Sequence, residues 1–361
     1  MKSTPTRSQT VSIRPLTHEH RQQLCRLIDR DPVVSVFNAE HLAKFGLPDA
    51  QLATRMRSPF GFMGIFEAPN DAAAPAENSA LALGAAIPRA LRQMAQVFAR
   101  PLPFSPESVV NTQDAPADSI APVEEKLVGA FWLGGNCVPV DIPEQYIPDV
   151  AAFISQHHRQ IASIFGAADT VLPLWEKAEP AFKNVLDIRA QQPLLYLPPQ
   201  RSISHSRDLY RPGLPAPQIS KGVRFARESD NKTLLQASVA MFTEEVGYDP
   251  MTRDSIGYKR RVHDFIAERR TVVAVNAEDV VVFKTDVGIA AGDVCQLQGV
   301  WLHPAYRGFG LSAPLLVQAC ELLRPRYPHI SLYVNDYNVR ARALYARVGF
   351  EQADTFATVL F

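Results

Sequence analysis

The stretch Gln298–Glu321, QGVWLHPAYRGFGLSAPLLVQACE, decides how the rest of the chain is read. It opens as a strand, because Val300, Trp301 and Leu302 are consecutive, apolar and β-prone. His303-Pro304 closes that strand, since proline cannot donate to a ladder. Arg307-Gly308-Phe309-Gly310-Leu311-Ser312 follows, and its two glycines let the backbone turn sharply and approach a ligand with no Cβ in the way. A helix is expected at once, with Ser312 as its cap, Pro314 in its first turn, and Leu315, Leu316, Ala319, Leu322 and Leu323 at helical spacing. A glycine turn feeding a helix start presents free N–H groups and a positive dipole end, which together make an anion site. Taken alone, the same residues also make an ordinary tight turn. No Gly-Lys-Ser/Thr follows, so this is not a nucleotide P-loop. The third glycine and the distant acidic residue of a dinucleotide fingerprint are missing too.

A second stretch sharpens the reading. Ser331–Val334 reads as a strand, followed by NDYNVRARALYARVGFEQADTFATVLF, Asn335–Phe361. With both stretches in view, the chain from about residue 222 to 361 resembles the GNAT superfamily of acyl-CoA-dependent N-acyltransferases. That family's phosphate-binding signature, Arg/Gln-x-x-Gly-x-Gly/Ala, is matched by Arg307–Ser312, with serine in the last place. Its second signature, Asn-x-x-Ala, then Tyr, then Gly-Phe, is matched in order by Asn338, Ala341, Tyr345, Gly349 and Phe350. The resemblance implies an α+β fold with a mixed sheet, acetyl-CoA or another acyl-CoA as co-substrate, an amine acceptor and no metal. The whole chain also looks like two-domain bacterial proteins that join such a module to an N-terminal domain.

At 361 residues, two domains are the natural expectation. The chain carries 37 basic and 37 acidic residues, which argues against a general polyanion binder, because nucleic-acid affinity rests on neutralising phosphates. Cys25, Cys137, Cys295 and Cys320 are scattered without metal-ligand spacing and read as free thiols of a reducing compartment. His157-His158 and His205 read as surface histidines with no third ligand nearby. The polar N-terminus lacks the apolar core of a secretory signal, and no stretch is long and apolar enough to span a bilayer. A cytoplasmic protein without membrane or nucleic-acid partners is expected.

In chain order, Met1–Thr10 reads as frayed, Val11–Pro15 as an edge strand, and Thr17 to about Arg30 and Val33–Lys44 as helices, the second ending at Gly46. Phe60–Glu67 and Lys126–Val140 read as neighbouring strands interrupted by an insertion at about 68–125. Within that insertion Ala68–Asn78 reads as loop, Ala80–Ala99 as a helix and Pro101–Pro122 as mobile. Helical spacing covers Ile147–Phe165, and Ala168–Trp175 reads as a strand leading into a helix. This order matches that of the C-terminal module, so residues 1–200 form either a degenerate GNAT-like copy or an unrelated α+β domain. Where an acyl-CoA site needs a glycine turn, Val138–Phe153 has Pro143, Pro148, Asp141, Glu144 and Asp149, which would repel a pyrophosphate. This half is therefore expected to be non-catalytic. Gln192–Gly222 is proline-rich and reads as linker, with 201–221 as its core and Leu194–Leu197 as a last strand of the first domain. From 222 on, Val223–Asp230 reads as a strand, Lys232–Glu245 and Tyr258–Arg270 as helices, and Thr271–Val275 and Val280–Ala290 as a hairpin.

The resemblance assigns the chemistry residue by residue. The backbone of Arg307, Gly308, Phe309, Gly310, Leu311, Ser312 and Ala313 would wrap the pyrophosphate, with Arg307 adding a charge. Val300, Trp301 and Leu302 would pair with the pantetheine arm, and the Leu302 N–H would donate to the oxyanion. Tyr345 matches the general acid, with a core tyrosine as the alternative, and Asn338 orders the turn beside the cofactor. Many family members carry a carboxylate on the strand before the glycine turn, where this chain has Gln296 and Gln298. Glu244 and Glu245 are the substitute bases, unless they only solvate a helix end or the amine arrives neutral. An acyl-CoA-binding regulatory protein with little turnover is the alternative to an enzyme.

Overall fold

The structure, a computed structural model, describes residues 11–55, 59–67, 125–199, 219 and 222–361. The expectations for Met1–Thr10, Ala68–Pro122, His205 and the core of the linker lie outside the described residues.

The first half runs β1 (Val11–Pro15), α1 (Arg21–Ile28), α2 (Val36–Phe45), α3 (Ala50–Arg55), β2 (Gly61–Glu67), β3 (Lys126–Leu133), β4 (Asn136–Val140), α4 (Ile147–Gln156), β5 (Ser163–Ala167), α5 (Ala168–Ala178) and β6 (Asp187–Leu197). The second runs β7 (Arg224–Phe225), α6 (Asn231–Val246), α7 (Met251–Ala267), β8 (Thr271–Val275), β9 (Val281–Ala291), β10 (Val294–Leu302), α8 (Ser312–Leu323), β11 (His329–Tyr333), α9 (Val339–Val348) and β12 (Glu351–Leu360). Apart from α3, the two lists correspond one to one. Each half also has one parallel pair at the same place, β4 with β5 and β10 with β11, while its other described pairs are antiparallel. This internal correspondence favours the degenerate copy over the unrelated domain.

The described strands all join one 12-stranded sheet, in the order β1-β2-β3-β4-β5-β12-β6-β11-β10-β9-β8-β7. The last strands of the two halves are exchanged at its centre. β12 lies between β5 and β6, and β6 lies between β12 and β11. Neither half closes its own ladder, and the chain ends inside the sheet of the first half.

Helices cover both faces of the sheet, as period-two strands demand. In the second half Val273, Val275, Val281 and Trp301 face α6 and α7, with Leu234, Ala237, Val262 and Ile266 opposite. Val272, Ala274, Phe283, Cys295 and Leu302 face α8 and α9 and pack on Leu315, Leu316, Ala319 and Val348. In the first half the corresponding layers are Met63, Phe131, Val150 and Leu174 on one side and Leu24, Phe37, Phe62 and Trp132 on the other.

Several boundaries differ from the sequence reading. The helix expected over Ile147–Phe165 stops at Gln156, and the strand follows at Ser163–Ala167. Ala168–Trp175 is therefore helix, not strand. Val171, Leu174, Trp175 and Ala178 bury at i, i+3, i+4 and i+7, and that helical period outweighs the β-prone side chains. β6 begins at Asp187, so Gln192 and Pro193 are strand rather than linker. The Pro193 carbonyl still accepts from Val334 N–H at 3.2 Å, and only its donor is lost. α7 starts at Met251 with a break at Asp254, earlier than Tyr258, and β7 is two residues long.

Candidate active site

β10 and β11 pair in parallel only from Val294 opposite His329 to Gln296 opposite Ser331. Beyond that point β10 continues to Leu302 and β11 to Tyr333 with no ladder between them, so the sheet opens into a gap.

The direction of each N–H on β10 follows from its other neighbour. His303 N–H donates to Val282 on β9 at 2.7 Å, and Leu302 stands opposite Phe283. In an antiparallel ladder consecutive residues alternate, so the N–H of Leu302 points away from β9, into the gap. Val300 faces the same way and Trp301 faces β9.

A bulge shapes this segment. The β9–β10 register jumps between Gln298 and Trp301, and Gly299 sits at φ +57°. A Cβ on Gly299 would lie 2.9 Å from Met241 Cε and 3.0 Å from Lys284 Nζ. Lys284 is 1% exposed; its ammonium donates to Asp286 at 2.6 Å and to the Gly299 carbonyl at 3.4 Å. Asp286 also accepts from Thr271 Oγ1 at 2.7 Å. A buried pair with these extra bonds holds the bulge from behind. The sequence reading missed Lys284, Asp286 and Gly299. The signal was present: Lys284 and Asp286 interrupt the apolar run of β9 on one face, and a charged residue inside such a run needs a partner.

After β10, Pro304–Tyr306 forms one tight turn and the chain reaches α8 through Gly308 at φ +87° and Gly310 at φ +73°. Nothing lies within 4 Å of the Cβ direction of Gly308. Ser312 is the first residue of α8 and not its cap; Leu311 holds the cap position and makes no side-chain cap bond. Leu315 N–H to Leu311 at 3.2 Å is the first helical bond there, so the N–H groups of Ser312 and Ala313 lie ahead of the helical ladder, and Pro314 has none to satisfy. This bare helix start beside two left-handed glycines fits a pyrophosphate.

Arg307 is held elsewhere. Its Nε donates to the Leu302 carbonyl at 2.9 Å, and Nη2 donates to both oxygens of Glu244 at 2.8 and 3.1 Å. Trp301 Nε1 donates to the same carboxylate at 3.4 Å. Glu244 thus fastens α6 to the end of β10.

Glu245, its neighbour, has no hydrogen-bond partner among the described residues. Water reaches its side chain, yet burial pushes its pKa up, against the pull of Lys284 and Arg189 and with the help of Glu244 and Asp286. The side chain is exposed at the end of α6, so solvent tempers that shift. Tyr345 comes from α9 on the far side of the gap and is 8% exposed, in edge contact with Phe350. Burial, and then the charge of Glu245, holds its hydroxyl above the usual phenol range, so it stays protonated. That hydroxyl also has no partner among the described residues. Tyr333 and Tyr258 are each raised first by burial, and both also feel the charge of Glu245. Asn338 caps α9, its side chain accepting from Ala341 N–H at 3.1 Å. The four cysteines are unpaired, with Cys137, Cys295 and Cys320 buried. Among the described residues no group of histidines, cysteines and carboxylates is placed to hold a metal, and no helix is long and apolar enough to cross a membrane.

Residues 249–350 match the model of the Acetyltransferase (GNAT) family. Residues 120–211 match a domain of unknown function, DUF4081. No curated protein matches the chain. Among solved structures, a tandem GNAT protein from the clavulanic acid biosynthesis pathway is 13% identical over 97% of this chain and 98% of its own, with a TM-score of 0.45. A GCN5-related N-acetyltransferase from Sphaerobacter thermophilus is 11% identical over 97% of this chain and 94% of its own, with a TM-score of 0.44. The PaiA N-acetyltransferase from Thermoplasma acidophilum, in complex with coenzyme A, is 17% identical over 39% of this chain and 99% of its own, with a TM-score of 0.31.

Proposed function

We propose that the protein is an acyl-CoA-dependent N-acyltransferase that moves an acetyl group from acetyl-CoA to an amine by direct attack. The observation that carries this reading is the parting of β10 and β11 after Gln296 and Ser331, beside a glycine turn and the uncapped start of α8.

The N–H groups from Gly308 to Ala313 would hold the pyrophosphate, and Val300–Leu302 would lie along the pantetheine arm. Arg307 positions the end of β10 through Glu244 and leaves phosphate binding to the backbone. Glu245 takes the proton of the acceptor ammonium, a task suited to a carboxylate whose pKa is raised by burial. The amine nitrogen then forms its bond to the thioester carbon, and the Leu302 N–H donates to the oxygen as it gains charge. As the C–S bond breaks, Tyr345 donates its proton to the thiolate, and the second proton of the attacking nitrogen passes to the phenolate so formed, leaving a neutral amide, a thiol and the restored phenol. In the first half the corresponding helix start follows Pro143, and Asp141 is ion-paired with Arg30. That supports a single acyl-CoA site per chain. The reading is tested by following thiol release from acetyl-CoA over a panel of amines. Amine-dependent release supports an enzyme; binding without release supports the regulatory alternative.

A further inference from the structure

Lys284, in β9, is the only lysine among the buried side chains of the described residues. An ammonium taken out of water is costly, and an apolar pair of similar volume in place of a buried ion pair is commonly as stable or more so. Stability alone therefore does not account for Lys284 and its partner Asp286. What the pair does besides is reach across to β10. The Lys284 ammonium donates to Asp286 at 2.6 Å, Thr271 Oγ1 anchors the other oxygen of that carboxylate at 2.7 Å, and the ammonium also donates to the Gly299 carbonyl at 3.4 Å.

The register of the two strands passes from Gln298 opposite Asp286 to Trp301 opposite Lys284, so Gly299 and Val300 together face Thr285. Side chains of β9 meet both carbonyls that lead through this bulge: Thr285 Oγ1 donates to the Gln298 carbonyl at 3.4 Å, and Lys284 to that of Gly299. The Gly299 carbonyl and the Val300 N–H belong to one trans peptide, so they point in opposite directions. With the carbonyl drawn toward Lys284 on β9, the Val300 N–H is turned away from β9, to the side where β10 and β11 have parted. Leu302 needs no such help, because its direction follows from the regular ladder past the bulge. At Val300 the bulge interrupts that alternation, and a side chain has to set the peptide.

We propose that Lys284 is a positioning residue for the acyl-CoA arm: by holding the Gly299 carbonyl it aims the Val300 N–H at an amide carbonyl of the pantetheine. Asp286 and Thr271 keep the ammonium charged and in place. Lys284 itself touches neither the thioester nor the acceptor. This inference rests on the acyltransferase reading and adds the residue that sets how the arm is gripped.

The test uses the full-length protein and two ligands, acetyl-CoA and 3′-phosphoadenosine 5′-diphosphate, which keeps the pyrophosphate and lacks the arm. Lys284→Met alone leaves Asp286 buried without its cation and should melt well below wild type. The double variant Lys284→Met/Asp286→Leu removes both charges and should melt close to wild type. It should nevertheless bind acetyl-CoA about tenfold more weakly, the worth of one lost hydrogen bond, and bind the armless ligand as wild type does. In wild type, the Val300 amide proton should exchange more slowly once acetyl-CoA is bound and at an unchanged rate with the armless ligand. Wild-type acetyl-CoA affinity in the double variant would make the pair a packing element and overturn the proposal, and so would an equal loss of affinity for both ligands. A Val300 amide whose exchange ignores acetyl-CoA would overturn it as well, and that measurement needs no variant to fold. If wild type binds neither ligand, the acyltransferase reading falls and takes this proposal with it.

Discussion

Replacing Tyr345 by phenylalanine removes one oxygen and leaves the ring in its contacts with Phe350 and the α8–β11 core. Because the hydroxyl has no partner among the described residues, no hydrogen bond is lost, and the change in stability should stay below about 1 kcal/mol. That corresponds to a melting shift under about 4 °C. Turnover should respond very differently. A positioned general acid contributes about 10²–10⁴-fold, or about 2.7–5.4 kcal/mol of barrier. The Michaelis constant for acetyl-CoA should change little, since the pyrophosphate turn lies on another element. Steady-state thiol release, a melting curve and an acetyl-CoA titration on the same preparation give all three quantities. Full activity would make Tyr345 a packing residue. Lost acetyl-CoA binding with a large melting shift would make it structural, and either outcome refutes the reasoning.

Other predictions follow from the same geometry. Glu245→Gln should cut turnover most at low pH, where the amine is mostly charged, and Glu244→Gln should mainly loosen the Arg307 bridge, worth up to about 1 kcal/mol at such an exposed pair. Unchanged pH–rate profiles in both variants would leave the proton to bulk water. Because folding raises the pKa of Glu245, its charged form costs stability once the pH rises through the folded value. Glu245→Gln should therefore melt higher than wild type at neutral pH, and the difference should vanish in acid, below the unfolded carboxylate pKa. Gly299→Ala should lower both stability and turnover, since its Cβ would meet Met241 and Lys284 at a left-handed position. Deleting β12 should unfold both halves together, and neither residues 11–199 nor 222–361 alone should give a cooperative melting transition.

Much of this molecule was legible in its residues. Arg307–Ser312 and Asn338–Phe350 carried spacing dense enough to place α8, α9 and their turns, and the hairpin of Thr271–Val275 and Val280–Ala290 showed as two apolar runs. Local pattern could not show partners distant in sequence. Nothing in Asp187–Leu197 or Glu351–Leu360 says that these strands are exchanged, because an alternating strand fits any neighbour with the right face. The two glutamates looked equivalent, and only the reach of Arg307 separated Glu244, fastened to β10, from Glu245, which is left without a partner. Ala168–Trp175 misled because its β-prone residues also fit a helix, and burial at Val171, Leu174 and Trp175 decided between the two.

The central claim is that the glycine turn before α8 is the acyl-CoA site of the chain. Calorimetric titration of acetyl-CoA into wild type and into Gly310→Trp tests it most directly. Wild type should show one site per chain and the variant none, because its indole would fill the space left by a glycine at φ +73°. Two sites per chain, or one site unchanged by the tryptophan, would contradict it.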